Sequence, residues 1–119
     1  MGNKTVLVVD DEIDILDSLE AVLEIDGYDT VRCSDPLKAL DLMRTHTPDL
    51  IILDVMMPMK SGPEILLEMK AQSDLKHIPV ILMSAGTTSK YEKETYKWDI
   101  YMKKPFDLEE LLANVKSLL

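Results

Sequence analysis

The chain has 119 residues, of which 46% are hydrophobic and 29% are charged, so it is long enough and apolar enough to form one domain with its own core. A formal charge of −9 with no basic patch disfavours direct binding to nucleic acid or to an anionic membrane surface. The longest apolar runs fall far short of the roughly 20 residues of a membrane helix, and the amino terminus has no secretory signal pattern. The single cysteine, Cys33, cannot form an internal disulfide, which favours a cytoplasmic protein.

Five short aliphatic or β-branched runs alternate with amphipathic segments, a pattern that predicts βαβ units and a parallel sheet. We predict strands over these runs: Thr5–Val9, Thr30–Cys33, Leu50–Leu53, Val80–Met83 and Ile100–Met102. Four of the runs are apolar at consecutive positions, as expected of strands covered on both faces. The second run contains the polar residues Thr30 and Arg32, which indicates an edge strand.

The spacing of apolar residues predicts the first two helices. Leu16 and Leu19 lie on one face of the first helix, and Gly27 is suited to ending it. Asp35 places a capping carboxylate ahead of Pro36, and proline is well suited to the first turn of the second helix.

Three further helices are predicted over Gly62–Ala71, over Thr87–Trp98 and after Asp107. The segment Thr87–Trp98 is mostly polar and has only a few aromatic or β-branched residues at helical spacing. Glu110 follows Asp107 by three residues, which is the spacing of a capping box. Because the chain has no internal repeat and no linker composition, we predict a single domain over residues 1–119.

Polar residues follow the predicted strands at the points where the strands end. Right-handed crossovers bring the carboxyl ends of parallel strands to one edge of the sheet, where ligands bind in open α/β folds. The residues that should meet at this edge are Asp10, Asp11 and Glu12 after the first strand, Asp54 after the third, Ser84 after the fourth, and Lys103 and Lys104 after the fifth.

This set of side chains predicts a metal-assisted phosphoryl site. Carboxylates brought within about 4 Å of one another repel by roughly 4 kcal/mol per pair at an effective dielectric of about 20, so a cation is expected among them. An oxygen-only ligand set without clustered histidine or cysteine favours Mg²⁺. The lysine and the serine hydroxyl suit the oxygens of a phosphoryl group, and Asp54 is the predicted acceptor.

Four motifs carry a family resemblance: Val8–Glu12, Asp54–Gly62, Ser84–Ala85 and Lys104–Phe106. In this order and at strand ends, they resemble the receiver domain of bacterial and archaeal response regulators, over essentially the whole chain. The resemblance implies a doubly wound (βα)5 flavodoxin-like fold with a five-stranded parallel sheet in the order 2-1-3-4-5. It also implies a two-component signalling switch that assists its own phosphorylation and dephosphorylation and is not a dedicated turnover enzyme.

The resemblance assigns the acceptor and the metal ligands. Asp54 would accept a phosphoryl group from the phosphohistidine of a sensor histidine kinase or a histidine phosphotransfer protein. Asp11 and Asp54 would bind Mg²⁺ directly, Asp10 would act through a bound water, and the backbone carbonyl of Met56 would complete the protein ligands.

The resemblance also assigns the switch. Lys104 would pair with the phosphoryl group, and Ser84 would move to hydrogen-bond to it, leaving space for Tyr101 to turn inward. The output surface would then change for a downstream target protein or an effector domain outside this chain. Such a switch is a shift in population between two packings.

One segment departs from the family pattern. A Gly-Ala pair commonly precedes the fifth strand, but Lys97 and Trp98 stand here, and the interval from Ser84 to Lys104 is slightly short. The departure leaves the chemistry at the strand ends unchanged. It puts in doubt the coupling to Tyr101 and the choice of partner.

Simpler roles and rival functions stay open at this point. Asp10 and Asp11 could cap the first helix, and Tyr101 could be an ordinary packing residue. A phosphatase of the haloacid dehalogenase type also phosphorylates an aspartate, but it needs a second aspartate where Met56 stands. A flavodoxin-like electron carrier needs a phosphate loop where this chain has acidic residues, of which Glu12 is the last.

Overall fold

The computed structural model describes residues 2–86 and 91–119. Within these ranges five strands alternate with five α-helices, in the order β1 (Thr5–Val9), α1 (Ile13–Ile25), β2 (Asp29–Cys33), α2 (Ala39–His46), β3 (Leu50–Asp54), α3 (Gly62–Lys70), β4 (Val80–Ser84), α4 (Lys93–Tyr96), β5 (Ile100–Lys103) and α5 (Leu108–Leu118). Over these two described ranges, no helix combines the length and the apolar character needed to cross a membrane.

All five strands form one parallel sheet in the order β2-β1-β3-β4-β5, which confirms the predicted fold. The prediction that the second strand lies at an edge is also confirmed. The fifth strand occupies the other edge, so it is not covered as its apolar run suggested: within Ile100–Lys103 only Met102 is buried. Each predicted strand is present within one residue of its predicted ends.

The two faces of the sheet are covered by different helices. Alternate strand residues point to opposite faces, so that Leu7 and Val9 pack with α2 and α3 while Val6 and Val8 pack with α1 and α5. Both clusters consist mostly of aliphatic side chains, with a few methionines, and have almost no exposed area. The three inner strands are therefore held on both sides, and their carboxyl ends lie at one fixed edge.

Local capping agrees with the sequence in two places and adds a third. The Asp35 side chain accepts the Leu37 N–H at 3.0 Å. The first turn after it is a 3-10 turn, Pro36–Lys38, and the α-helix begins directly after that turn, at Ala39. The Asp107 side chain caps α5 by accepting the Glu109 N–H at 2.9 Å, not the N–H of the predicted box residue. A complete capping box stands at Ser61–Glu64, at the start of α3, where the sequence pattern was overlooked.

The predicted helix over Thr87–Trp98 is wrong in its extent. Only Lys93–Tyr96 is helical, and residues 87–90 lie outside the described residues. Lys97 adopts a left-handed conformation with φ of 61° and ends the helix, so that Trp98 lies beyond it. A mostly polar segment lacks the apolar stripe that would hold a longer helix against the sheet.

Candidate functional site

Backbone hydrogen bonds at the carboxyl edge of the sheet set the positions of the site residues. The Asp10 N–H donates to the Cys33 carbonyl at 3.0 Å, which fixes the end of β1 against β2. The Lys104 N–H donates to the Ser84 carbonyl at 2.7 Å, which extends the pairing of β4 and β5 by one residue. Residues that are far apart in sequence are thus held side by side before their side chains interact.

Three carboxylates converge at this edge. Asp10, Asp11 and Asp54 each place an oxygen within 4.8 Å of the other two, and within the part of the chain that the structure describes this is the one such group of acidic, histidine or cysteine side chains. Asp10 is fully buried and Asp54 is 3% exposed, while Asp11 is the most accessible of the three. An all-oxygen set of this kind suits a hard divalent cation, so the residues fit a metal of that type.

Lys104 supplies the positive charge beside these carboxylates. Its Nζ lies 3.0 Å from Asp10 Oδ2 and 3.2 Å from Asp54 Oδ1, and Glu12 lies farther off at 4.0 Å. Burial by itself lowers the pKa of Lys104, but the hydrogen bonds and charges of Asp10 and Asp54 outweigh that effect, and the pKa is raised. The ammonium group therefore stays charged.

The Asp54 carboxyl is less acidic than an ordinary aspartate. Burial is the largest cause, repulsion from Asp10 adds to it, and Lys104 offsets only part of the two, so that the pKa rises from 3.8 to about 6. Near neutral pH the carboxyl is mostly ionised, but it is held as an anion in an unfavourable place. A cation bound beside Asp54 would stabilise this ionised carboxylate, and that stabilisation would add to the affinity of the site for the cation.

Ser84 and Met56 complete the rim of the site. Ser84 is 3% exposed at the end of β4, and its Oγ accepts the Gly86 N–H at 3.0 Å. Met56 stands in the loop after β3 and is 72% exposed. The metal-binding role of the Met56 carbonyl stays a prediction.

Tyr101 lies away from the carboxylates, on the face of the sheet that α2 and α3 cover. It is half-buried and pairs with Leu82 in the β4–β5 register. Its ring makes an edge contact with Trp98, with centroids 5.3 Å apart. The structure thus places it in a position to respond to β4, and its switch role stays a prediction.

The simpler roles considered for these residues have definite outcomes. Glu12, not Asp10 or Asp11, is the N-cap residue of α1. Asp10 Oδ1 accepts the Glu12 N–H at 2.9 Å, so this side chain serves both the turn before α1 and the charged cluster. The two histidines, His46 and His77, are exposed.

Gly62 is a site residue whose role sequence reasoning missed. A Cβ atom at this position would lie 2.1 Å from the backbone carbonyl oxygen of Asp54, and the Gly62 N–H donates to the Val55 carbonyl at 3.0 Å. The start of α3 is therefore packed directly on the backbone of Asp54, the predicted acceptor. A glycine at the first position of a predicted helix, where glycine is a poor helix former, was the available signal.

Comparisons with known proteins agree on one family. The family model for the response regulator receiver domain matches residues 6–116. The polar-differentiation response regulator DivK of Brucella anthropi is 34% identical over 118 residues, which cover 98% of this chain and 96% of that protein.

Solved structures give the same result. Chemotaxis protein CheY4 of Vibrio cholerae superposes with a TM-score of 0.91 at 30% identity, covering 99% of this chain and all of that one. Response regulator protein TrrA of Thermotoga maritima, solved in complex with Mg²⁺-BeF, superposes with a TM-score of 0.87 at 34% identity, covering 98% of this chain and 99% of that one.

Replacing the Asp54 carboxyl should stabilise the metal-free protein. Because the folded state raises the pKa of Asp54 to about 6, the unfolded chain ionises first as the pH rises, and folding stability falls between about pH 4 and pH 6. Asp54→Asn removes this penalty, so we expect urea denaturation in EDTA at pH 7.5 to show a gain of about 1 to 3 kcal/mol. The gain should shrink towards pH 4.

Asp26→Asn, at the exposed far end of α1, is the matched control and should change stability by less than about 0.5 kcal/mol. A loss of stability in Asp54→Asn at pH 7.5 would show that Lys104 outweighs burial and repulsion, contrary to this account.

The close approach at Gly62 gives a second prediction. In Gly62→Ala the new methyl group must displace the Asp54 backbone, so we expect a loss of stability of about 1 to 3 kcal/mol or more in urea denaturation. Gly2→Ala adds the same atom where nothing lies within 4 Å and should be neutral. Equal stability of the two variants would contradict the packing described for Gly62.

Proposed function

The chain belongs to the response regulator receiver domain family, and we propose that it acts as a phosphorylation switch with Asp54 as the acceptor. The observation that carries this proposal is the buried Asp54 carboxylate at the sheet edge, with Lys104 Nζ 3.2 Å away and two further aspartates beside it. Asp10 is also buried, but it follows β1, which does not pair with β4. Asp54 ends β3, which pairs with β4, and β4 ends at Ser84.

The proposed chemistry is the transfer of a phosphoryl group from a phosphohistidine to Asp54. A carboxylate oxygen of Asp54 attacks phosphorus, the bond from phosphorus to the imidazole nitrogen breaks, and the electron pair of that bond stays on the nitrogen. Lys104 offers its charge to the phosphoryl oxygens, and the Ser84 hydroxyl can donate a hydrogen bond to them. A pKa of about 6 leaves most of the Asp54 side chain ionised and reactive at neutral pH.

The metal that we propose is Mg²⁺. Asp11 and Asp54 would hold it directly, Asp10 would hold it through water, and the Met56 carbonyl would add a third direct protein oxygen. When bound, such a cation supplies positive charge that offsets the repulsion among the carboxylates and the incoming phosphoryl oxygens. The three aspartates have the ligand chemistry that Mg²⁺ prefers.

The phosphoryl group would then change the output surface. We infer that Ser84 exchanges its contact with the Gly86 N–H for one with the phosphoryl group. The Tyr101 side chain would then turn inward into the space that Ser84 leaves. The half-buried Tyr101 ring, packed against the same face as α3, supports this inference. The proposed phosphoryl donor is a sensor histidine kinase or a histidine phosphotransfer protein. The changed surface would be recognised by a target protein or by an effector domain outside this chain. The proposed location is the cytoplasm.

Proteins of this family are signalling switches, and the haloacid dehalogenase alternative is not supported. The side chain two residues after Asp54 is the exposed, apolar Met56, which cannot protonate a leaving group. We therefore propose that the phosphoryl group on Asp54 is a signal and not a step in steady-state turnover of small phosphate esters.

The acceptor is tested with acetyl phosphate as a small phosphodonor. With Mg²⁺, the wild-type protein should gain the mass of one phosphoryl group, and EDTA should suppress the gain because the carboxylates then lack their counter-charge. Asp54→Ala should abolish labelling in intact-mass spectrometry. Asp11→Asn should still be labelled, but only at a higher Mg²⁺ concentration.

The exposed Asp26→Asn is the control and should be labelled at the wild-type rate. Undiminished labelling of Asp54→Ala would exclude Asp54 as the acceptor. Rapid steady-state hydrolysis of p-nitrophenyl phosphate by the wild type would favour the phosphatase alternative.

A further inference from the structure

An aromatic group surrounds the short helix α4 and joins it to β5. Tyr91, Tyr96, Trp98 and Tyr101 are all half-buried against the core on the face that α2 and α3 cover. Tyr91 and Tyr96 pack edge to face with centroids 5.5 Å apart, and Trp98 and Tyr101 do so at 5.3 Å. Of these four residues, only Tyr101 has a role in the proposed switch.

Trp98 links the two aromatic pairs. Its indole N–H donates to the Tyr91 backbone carbonyl at 2.9 Å, while its ring contacts Tyr101. Lys93 Nζ lies 5.6 Å from the centre of the indole ring, which adds a cation–π contact from α4. One side chain therefore ties the chain before α4, α4 itself and the first half of β5.

The same link reaches the phosphorylation site from the other side. Tyr91 lines a groove with Val55 and Met56, which immediately follow Asp54. The groove beside the loop after Asp54 is thus followed by the hydrogen bond from Trp98 to Tyr91 and the ring contact from Trp98 to Tyr101. Coupling between two parts of a protein needs an element with two arrangements that both parts can bias, and packed side chains of this kind can form such an element.

We propose that Trp98 is a positioning residue of the switch, which holds Tyr101 and Tyr91 in the arrangement without phosphate and is released when Asp54 is phosphorylated. The proposal rests on the proposed function. Tyr101 cannot turn away from its present position without losing the ring contact with Trp98. Trp98 stands where the family pattern has a small residue, and its contacts with Tyr91 and Tyr101 add stability to the arrangement without phosphate.

The single tryptophan of the chain makes the first test direct, because all indole fluorescence comes from Trp98. Beryllofluoride with Mg²⁺, a non-covalent mimic of a phosphoryl group, is added to the wild-type protein. We expect the emission maximum to move by several nanometres to longer wavelength, because the indole ring loses the cover of Tyr101. Asp54→Asn should show no shift.

The outcomes separate this inference from the proposed function. If fluorine NMR shows bound beryllofluoride while the emission stays unchanged, the proposed role of Trp98 is excluded and the phosphorylation switch stands. If neither beryllofluoride binds nor acetyl phosphate labels the protein, the proposed function fails and this inference fails with it.

A conservative variant tests the direction of the effect. Trp98→Phe keeps an aromatic ring against Tyr101 but removes the hydrogen bond to Tyr91, which is enough to shift a two-state population by about two- to tenfold. We expect acetyl phosphate to label this variant faster than the wild type by about that factor. Tyr28→Phe, a half-buried tyrosine on the opposite face, should be labelled at the wild-type rate.

A merely structural role for Trp98 has a different signature. It would lower the urea midpoint of Trp98→Phe and leave the labelling rate per folded molecule unchanged. An unchanged or slower labelling rate would therefore overturn the inference, whatever happens to stability. Circular dichroism confirms that the variant is folded before the rates are compared.

Discussion

The contacts of Lys104 with Asp10 and Asp54 are the interaction on which the site depends. Three carboxylates and one ammonium group leave a surplus of negative charge at the edge of the sheet, most of it away from water. The fold tolerates this surplus because two apolar clusters fix the three inner strands from both sides. Packing energy thus maintains an electrostatic imbalance, and the imbalance is what a cation and a phosphoryl group can relieve.

The sequence was informative wherever function follows from strand ends. Alternation of apolar runs with amphipathic segments was enough for the parallel sheet, and the side chains after the runs were enough to bring Asp10, Asp54 and Lys104 together. Both inferences depend on period and on chain topology, which are properties of local sequence. The order of the strands came from the family resemblance.

What the sequence did not predict depends on contacts made across loops, between residues that neither the helical nor the strand period relates. The close approach of Gly62 to the Asp54 carbonyl and the bond from Trp98 to Tyr91 leave no periodic pattern. The extent of α4 was wrong for a related reason, since a polar segment with scattered aromatics fits a helix and a turn equally well. Tertiary packing decides such segments, and here the left-handed Lys97 ends the helix.

The contact between Gly62 and Asp54 makes the two halves of the domain mechanically unequal. Five residues of α3 are buried and the N–H of its first residue donates to the Val55 carbonyl in the loop after β3, whereas none of the four residues of α4 is fully buried. Tight packing therefore opposes a shift of the Asp54 backbone towards α3, while less packing opposes movement on the side of α4. The position of the close contact between Gly62 and Asp54 thus decides on which side of the domain movement is less restricted.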